Sequence, residues 1–328
     1  MPLSQAQRGM WERARSIGNS DSAIALSEGM CRYLIQRIVL DLGQGSLDGY
    51  SAHVPEFYSV RDPFELTIEG PPALYLYDSL CSQFRDADTF FLCLATLQKS
   101  RLKYENIQRT QPIPSFEQIG PRTLIQYGTL EPQKLLSLLY WRKWLYDLDN
   151  RSAQETGYLF EPILAAAIGG TPVSARKSPV RRASDGGKGR QVDCIRDNRA
   201  YEFKLRVTIA ASGQGRWNEE LEFPNDCRMS GFRPTLIVLD STRNEKLEAL
   251  SAKFLEHGGE VYIGENAWQH LEAMAGNVMA KFIEKYVRVP MRDVVQNDQL
   301  ELEDLTLRHR GNLVEFLIGD GSLIVKRE

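Results

Sequence analysis

The residues of this sequence best placed to do chemistry together lie between Gln191 and Arg206, in Q-V-D-C-I-R-D-N-R-A-Y-E-F-K-L-R. Val192 and Ile195, then Tyr201, Phe203, Leu205 and Val207, flank the polar cluster Arg196-Asp197-Asn198-Arg199, the pattern of two short strands joined by a turn. Side chains alternate faces along a strand, so Glu202 and Lys204 share one face while Phe203 and Leu205 take the other. A tight hairpin brings Asp193 across from the same patch. Two carboxylates beside a lysine make a site for a hard divalent cation and an activated water. The triplet acid-x-Lys is weak by itself: it occurs once here, as Glu202-Phe203-Lys204, which is what chance supplies in a chain with 43 acidic residues. Its context has to carry the argument.

That context is helix, hairpin, helix, strand. Leu135, Leu136, Leu138, Leu139, Trp141, Trp144, Leu145 and Leu148 give a wide apolar stripe from Glu131 to Leu148, and a second helical stretch runs from Gly157 to Ile168, closed by Gly169-Gly170. Pro162 suits a first turn, so this second helix is expected to start near Leu159, with Glu161 at its N-terminal end. There Glu161 either meets the helix dipole or serves the site. After the hairpin, a short helix opens at G-Q-G-R-W-N-E-E-L-E, Pro234 to Asp240 reads as a strand covered on both faces, and Ser241 to His257 reads as an amphipathic helix before a short strand at Glu260 to Ile263. A further helix is expected from Ala267 to about Tyr286.

The rest of the chain frames this segment. Two helices are expected between Ser4 and Leu40, a long connection with a short strand at Phe64 to Ile68, and one or two helices between Leu74 and Leu102. Three prolines between Gln111 and Pro121 preclude a regular helix and mark either a boundary or a surface loop. Leu300 to Lys326 reads as two or three strands with a turn at Gly319-Asp320-Gly321. The division expected is a mainly helical region at 1–121, a core at 122–290 and a β extension at 291–328. His53, His257 and His270 have no catalytic spacing and read as structural or surface residues.

Length and composition limit the classes. The 328 residues, 42% hydrophobic and 25% charged, are those of a globular protein rather than a disordered or fibrous one. No apolar run approaches the ~20 residues needed to span a bilayer and no signal segment opens the chain, so a cytoplasmic protein is expected. Five scattered cysteines without C-x-x-C spacing argue against disulfides and zinc. The net charge of −3 gives no global pull on nucleic acid, yet Thr171 to Arg206 holds ten basic residues against four acidic ones. Arg176, Lys177, Arg181, Arg182, Lys188 and Arg190 in that stretch read as a solvated loop or, beside two carboxylates, as contacts to a phosphate backbone. Gln214, Arg216 and Asn218 are residue types that read base edges, or else they open a helix around a core Trp217.

The order of elements, with Glu161 in G-Y-L-F-E, Asp193 in Q-V-D-C, and Glu202 and Lys204 in E-F-K, resembles the PD-(D/E)xK nuclease superfamily, which includes most type II restriction endonucleases. The resemblance covers roughly Gly157 to Ile263. The chain has Val192 where the family's name has proline, a position that varies widely in the superfamily. The helical N-terminal part and the basic K-S-P-V-R-R segment are similar to the ApaLI-like restriction enzymes.

The resemblance implies an α/β (α+β) fold with a restriction-endonuclease-like core, a mixed central sheet flanked by helices. It implies that Asp193 and Glu202, with the Phe203 carbonyl, hold Mg²⁺, that Lys204 orients and helps deprotonate the attacking water, and that Glu161 takes a water or a second metal. The expected function is Mg²⁺-dependent, sequence-specific cleavage of double-stranded DNA by a homodimer. A repair or defence nuclease of the same fold is the first alternative, and a non-catalytic DNA-binding protein the second. Mere binding gains nothing from carboxylates facing phosphate, which weighs against the last.

Overall fold

A computed structural model describes residues 3–16, 24–43, 54–184, 187–205, 214–295 and 303–328, and leaves the side chains of 214–216 and 295 undescribed. His53, Arg206 and the side chains of Gln214 and Arg216 therefore lie outside the described residues. In chain order the helices are α1 (Gln5–Arg15), α2 (Glu28–Asp41), α3 (Ala73–Gln83), α4 (Ala87–Thr110), α5 (Phe116–Ile119), α6 (Thr123–Gln126), α7 (Pro132–Ala167), α8 (Gln214–Met229), α9 (Glu245–Glu256), α10 (Glu265–Ile283) and α11 (Val289–Val295). The strands are β1 (Thr171–Val173), β2 (Val192–Arg196), β3 (Arg199–Lys204), β4 (Arg233–Val238), β5 (Glu260–Ile263), β6 (Leu305–Arg310), β7 (Leu313–Ile318) and β8 (Gly321–Lys326). The class is the expected α+β, with a mainly helical N-terminal region.

The chain divides into two compact units. The first comprises Met1–Arg15, Leu26–Thr96 and Gly157–Val294 and carries a five-stranded sheet in the order β1-β2-β3-β4-β5. β1 pairs with β2 and β2 with β3 antiparallel, while β3 pairs with β4 and β4 with β5 in parallel, so the sheet is mixed. α8 and α9 are the crossover helices that parallel pairing requires. Leu236, Ile237 and Val238 are fully buried, as a continuous apolar run in a central parallel strand should be. Ala200 on β3 and Leu236 and Val238 on β4 pack with Phe223 and Cys227 of α8 and Leu247, Leu250 and Phe254 of α9. α9 starts where Asn244 accepts the Leu247 N–H at 2.9 Å, and stops at Gly258, whose φ of 71° is left-handed. The N-terminal helices add an apolar layer of Leu34, Ile35, Ile38, Phe90 and Phe91, all fully buried. At the end of α2, Asp41 takes hydrogen bonds from Arg37, Lys285 and the Tyr286 hydroxyl.

The second unit comprises Ser16–Ala25, Leu97–Thr156 and Val295–Glu328. Its antiparallel sheet β6-β7-β8 turns at Gly319-Asp320, as expected, and presses Val314, Phe316 and Val325 onto Ile107, Trp144 and Leu148.

Three expectations need correction. The two helices expected at Glu131–Leu148 and Gly157–Ile168 are one helix, α7. Pro162 inside it removes a backbone donor, at a cost of about 3 kcal/mol in an isolated helix. Burial of Ile163, Leu164, Ala165 and Ala167 outweighs that local preference. The strand expected at Phe64–Ile68 is a 3₁₀ turn at Pro63–Glu65, because Asp62 caps the Phe64 N–H at 2.9 Å. The helix expected at Ala267–Tyr286 is interrupted by Gly276 (φ 70°, ψ 172°) and runs into a π-helical turn at Glu284–Arg288.

Candidate active site

The β2–β3 hairpin turns in two residues, with Arg196 paired to Arg199 and Asp197 at φ 53°, a conformation that Asp and Asn tolerate better than most side chains. The register runs through Ile195↔Ala200 and Cys194↔Tyr201. Its continuation sets Asp193 opposite Glu202, and the Phe203 N–H donates to Asp193 Oδ2 at 2.9 Å. β3 is held on its other side by β4, with Glu202 level with Leu236 and Lys204 level with Val238. Beyond the strand, the Leu239 N–H donates to the Lys204 carbonyl at 3.0 Å. Glu202 and Lys204 therefore stand on a backbone hydrogen-bonded on both sides, and their shared face brings Lys204 Nζ to 2.9 Å from Glu202 Oε1. The expected constellation of Asp193, Glu202 and Lys204 is thus brought together.

α7 reaches the hairpin at its C-terminal end. Gly169 leaves the helix at φ 70°, and Gly170 lies so close to Cys194 Sγ and the Ile195 carbonyl that a Cβ there has no room. Glu161, half-buried six residues before the end of α7, is near enough to Asp193 to act on its charge. It does not lie at a helix N-terminus. An interaction with the helix dipole at that end is therefore excluded as the reason for it.

Electrostatics sets the state of these groups. Burial, then the Glu202 and Glu161 charges, push the Asp193 carboxyl well above the usual carboxylate range, only partly opposed by the Phe203 N–H and Lys204. Burial draws the Lys204 ammonium down, but Glu202, Glu220 and Asp193 outweigh it and hold its proton more tightly than in free lysine. Among the described residues, Lys204 is the cation that meets Glu202 directly. Among the described residues no three His, Cys, Asp or Glu side chains form a metal cage. Mg²⁺ does not require one, since it binds through one or two carboxylates and keeps waters and substrate phosphate as its other ligands. Mutually repelling hard-oxygen donors at Asp193 and Glu202 fit such a cation.

The basic residues divide by position. Arg176 and Lys177, on a 3₁₀ turn at Ala175–Lys177, are exposed, as are Arg181 and Lys188 on the loop that follows. Arg182 pairs with Glu219 at 3.0 Å. Arg190 is buried: it donates to Asp226 Oδ2 at 2.5 Å and to the Glu219 carbonyl, and lies over the Phe223 ring. Its charge is taken up by a carboxylate that is itself 1% exposed, so Arg190 leaves the set of expected phosphate contacts and becomes the bolt between the basic loop and α8. Asn218 is exposed on α8. Trp217 is partly buried against the core, with Lys246 5.3 Å above its ring.

One residue escaped the sequence reading. Glu220 Oε1 of α8 lies 3.4 Å from Lys204 Nζ. Its only signal was a position one turn before Phe223 on an otherwise apolar helix face.

A sequence model of the ApaLI-like restriction endonuclease family matches residues 75–288. The type II restriction enzyme ApaLI of Acetobacter pasteurianus is 51% identical over 277 residues, which cover 80% of this chain and 74% of that enzyme. No solved structure matches.

Proposed function

The chain belongs to the ApaLI-like restriction endonuclease family, and from that membership we propose Mg²⁺-dependent hydrolysis of phosphodiester bonds in double-stranded DNA at Asp193, Glu202 and Lys204. It is a site-specific deoxyribonuclease of the type II restriction class. The observation that carries the assignment of the site is the hairpin that sets Asp193 beside Glu202 and holds Lys204 2.9 Å from Glu202. Nothing about sheet stability calls for two acids and a lysine there, since replacing buried charges by apolar groups is often neutral or stabilising.

Asp193 and Glu202, with the Phe203 carbonyl, would hold the metal ion. When bound, Mg²⁺ supplies Lewis acidity toward the phosphate and a water more readily deprotonated than bulk water. Lys204 keeps its proton beside Glu202 and Glu220, so its part is that of a cation: its N–H groups orient the attacking water and meet the charge that builds on the phosphate oxygens. An ammonium that holds its proton this tightly is a poor acceptor of the water's proton, which favours the cationic role over the role of base. Glu161 would hold a water or a second ion. Arg176, Lys177, Arg181, Arg182 and Lys188 would meet the DNA backbone, and Gln214, Arg216 and Asn218 are the candidates for base edges.

We also propose a homodimer, each protomer cutting one strand, acting in the cytoplasm, and the three-part division at 121 and 290, whose support is the change in sequence character. Among the described residues no helix is long and apolar enough to cross a membrane. Calorimetric titration with Mg²⁺ tests the site: binding that is lost in Asp193→Ala and in Glu202→Ala supports it, and unchanged binding in both contradicts it.

A further inference from the structure

We propose that Glu220 is the positioning residue of the catalytic lysine, an assignment that rests on the reading of Lys204 as part of the cleavage site. Residues 220, 223 and 227 fall on one face of α8, at helical spacings of three and seven. Phe223 and Cys227 on that face are 3% and 0% exposed and pack on Ala200, Leu236 and Val238, the side of the sheet that also carries Glu202 and Lys204. Glu220 thus occupies a core-facing position, where a carboxylate is costly without a partner. The partner there is Lys204 Nζ, 3.4 Å away, with both side chains about three-quarters buried.

The neighbouring acids of α8 have other work: Glu219 holds Arg182, and Glu222 accepts from Ser184. The helix itself is fixed, because Arg190 ties Asp226 and the Glu219 carbonyl, the residue next to Glu220, to the basic loop. Glu220 therefore reaches the lysine from a rigid backbone.

The second carboxylate matters because the first is shared. Glu202 lies 2.9 Å from Lys204 and is also a proposed metal ligand. A carboxylate that holds a cation attracts the ammonium less, which leaves Glu220 to keep the flexible four-carbon stem of Lys204 aimed at the scissile phosphate. The two acids together account for a lysine held from two elements, strand and helix.

The test uses the full chain. Wild type, Glu220→Ala, Glu220→Asp and Lys204→Ala are compared for single-turnover cleavage of unmethylated phage DNA in Mg²⁺. Affinity without divalent ions for a labelled duplex built on the wild-type fragment ends is measured alongside, as is thermal melting. A misdirected lysine predicts that Glu220→Ala cuts on the order of 10- to 100-fold more slowly, with affinity and melting unchanged, and that Glu220→Asp recovers most of the rate. A wild-type rate in Glu220→Ala overturns the proposal, and so does a rate that falls only in step with affinity or melting. Should Glu220→Ala fail to fold, Glu220→Gln, equal in size and uncharged, decides by the same criteria. Inactive Lys204→Ala beside fully active Glu220→Ala refutes the role of Glu220 alone, whereas fully active Lys204→Ala refutes the underlying site.

Discussion

In the proposed site Asp193 is the residue on which cleavage should most depend, because it is buried and shares its surroundings with two other carboxylates. Removing it, or Glu202, is expected to lower the cleavage rate at least about 100-fold. DNA affinity in the absence of divalent ions should stay level or improve, since a carboxylate no longer faces phosphate; filter binding or anisotropy checks this. A parallel loss of affinity would mean that the acids hold the fold instead. His270 makes a prediction of a different kind. Its ring stacks 4.1 Å from Tyr262 and meets the Tyr201 hydroxyl at 3.3 Å, and burial holds it below the usual imidazole range. The unfolded chain takes up a proton that the folded ring resists, so stability is undiminished above about pH 6.5 and falls as pH drops from there toward the folded value. Melting curves from about pH 8 to about pH 5 should show this decline, and His270→Gln should flatten part of it. At this scale the sequence was informative where the logic is local. Glu202 and Lys204 share a face because strands alternate, whatever surrounds them. Arg190 and Glu220 were illegible for the opposite reason. One counts as a basic residue like its exposed neighbours and the other sits in an acidic run, and only tertiary packing distinguishes them.

The elements carry these residues to each other. The hairpin, the apolar β4 strand and α9 were legible because turn chemistry, a continuous apolar run and amphipathic periodicity are short-range signals, although α9 starts at Glu245 rather than Ser241 because Asn244 caps it. α7 was not, because Asp149-Asn150 and Pro162 are breakers by local preference, and the apolar face that overrides them becomes visible only when packed. β1, three residues long, offers too short a pattern to read. α8 ties together the basic loop and β3, through Arg190 on one side and Glu220 on the other. Arg190→Ala leaves the buried Asp226 carboxylate without its countercharge, held among the described residues only by the Ala183 N–H, so it should cost about 3–5 kcal/mol in denaturant unfolding. Arg181→Ala, at an exposed position, should change stability by less than about 0.5 kcal/mol and weaken DNA binding instead. Equal stability of the two variants would contradict the division drawn between them.

For the whole molecule, the charge balance is the relevant quantity. A chain of net charge −3 that concentrates basic residues around one hairpin should bind DNA through that region and be repelled elsewhere. Each of Arg176, Lys177, Arg181 and Lys188 that contacts a phosphate should lower the slope of log affinity against log salt by about 0.9 when replaced by alanine. Slopes that do not change would move the contact surface away from this loop. The most direct measurement of the central claim is the incubation of purified protein with unmethylated phage DNA, in Mg²⁺ and in EDTA, beside Lys204→Ala. Discrete fragments that require Mg²⁺ and are absent from the variant are the predicted result. Fragments formed in EDTA, or formed equally well by Lys204→Ala, would contradict it.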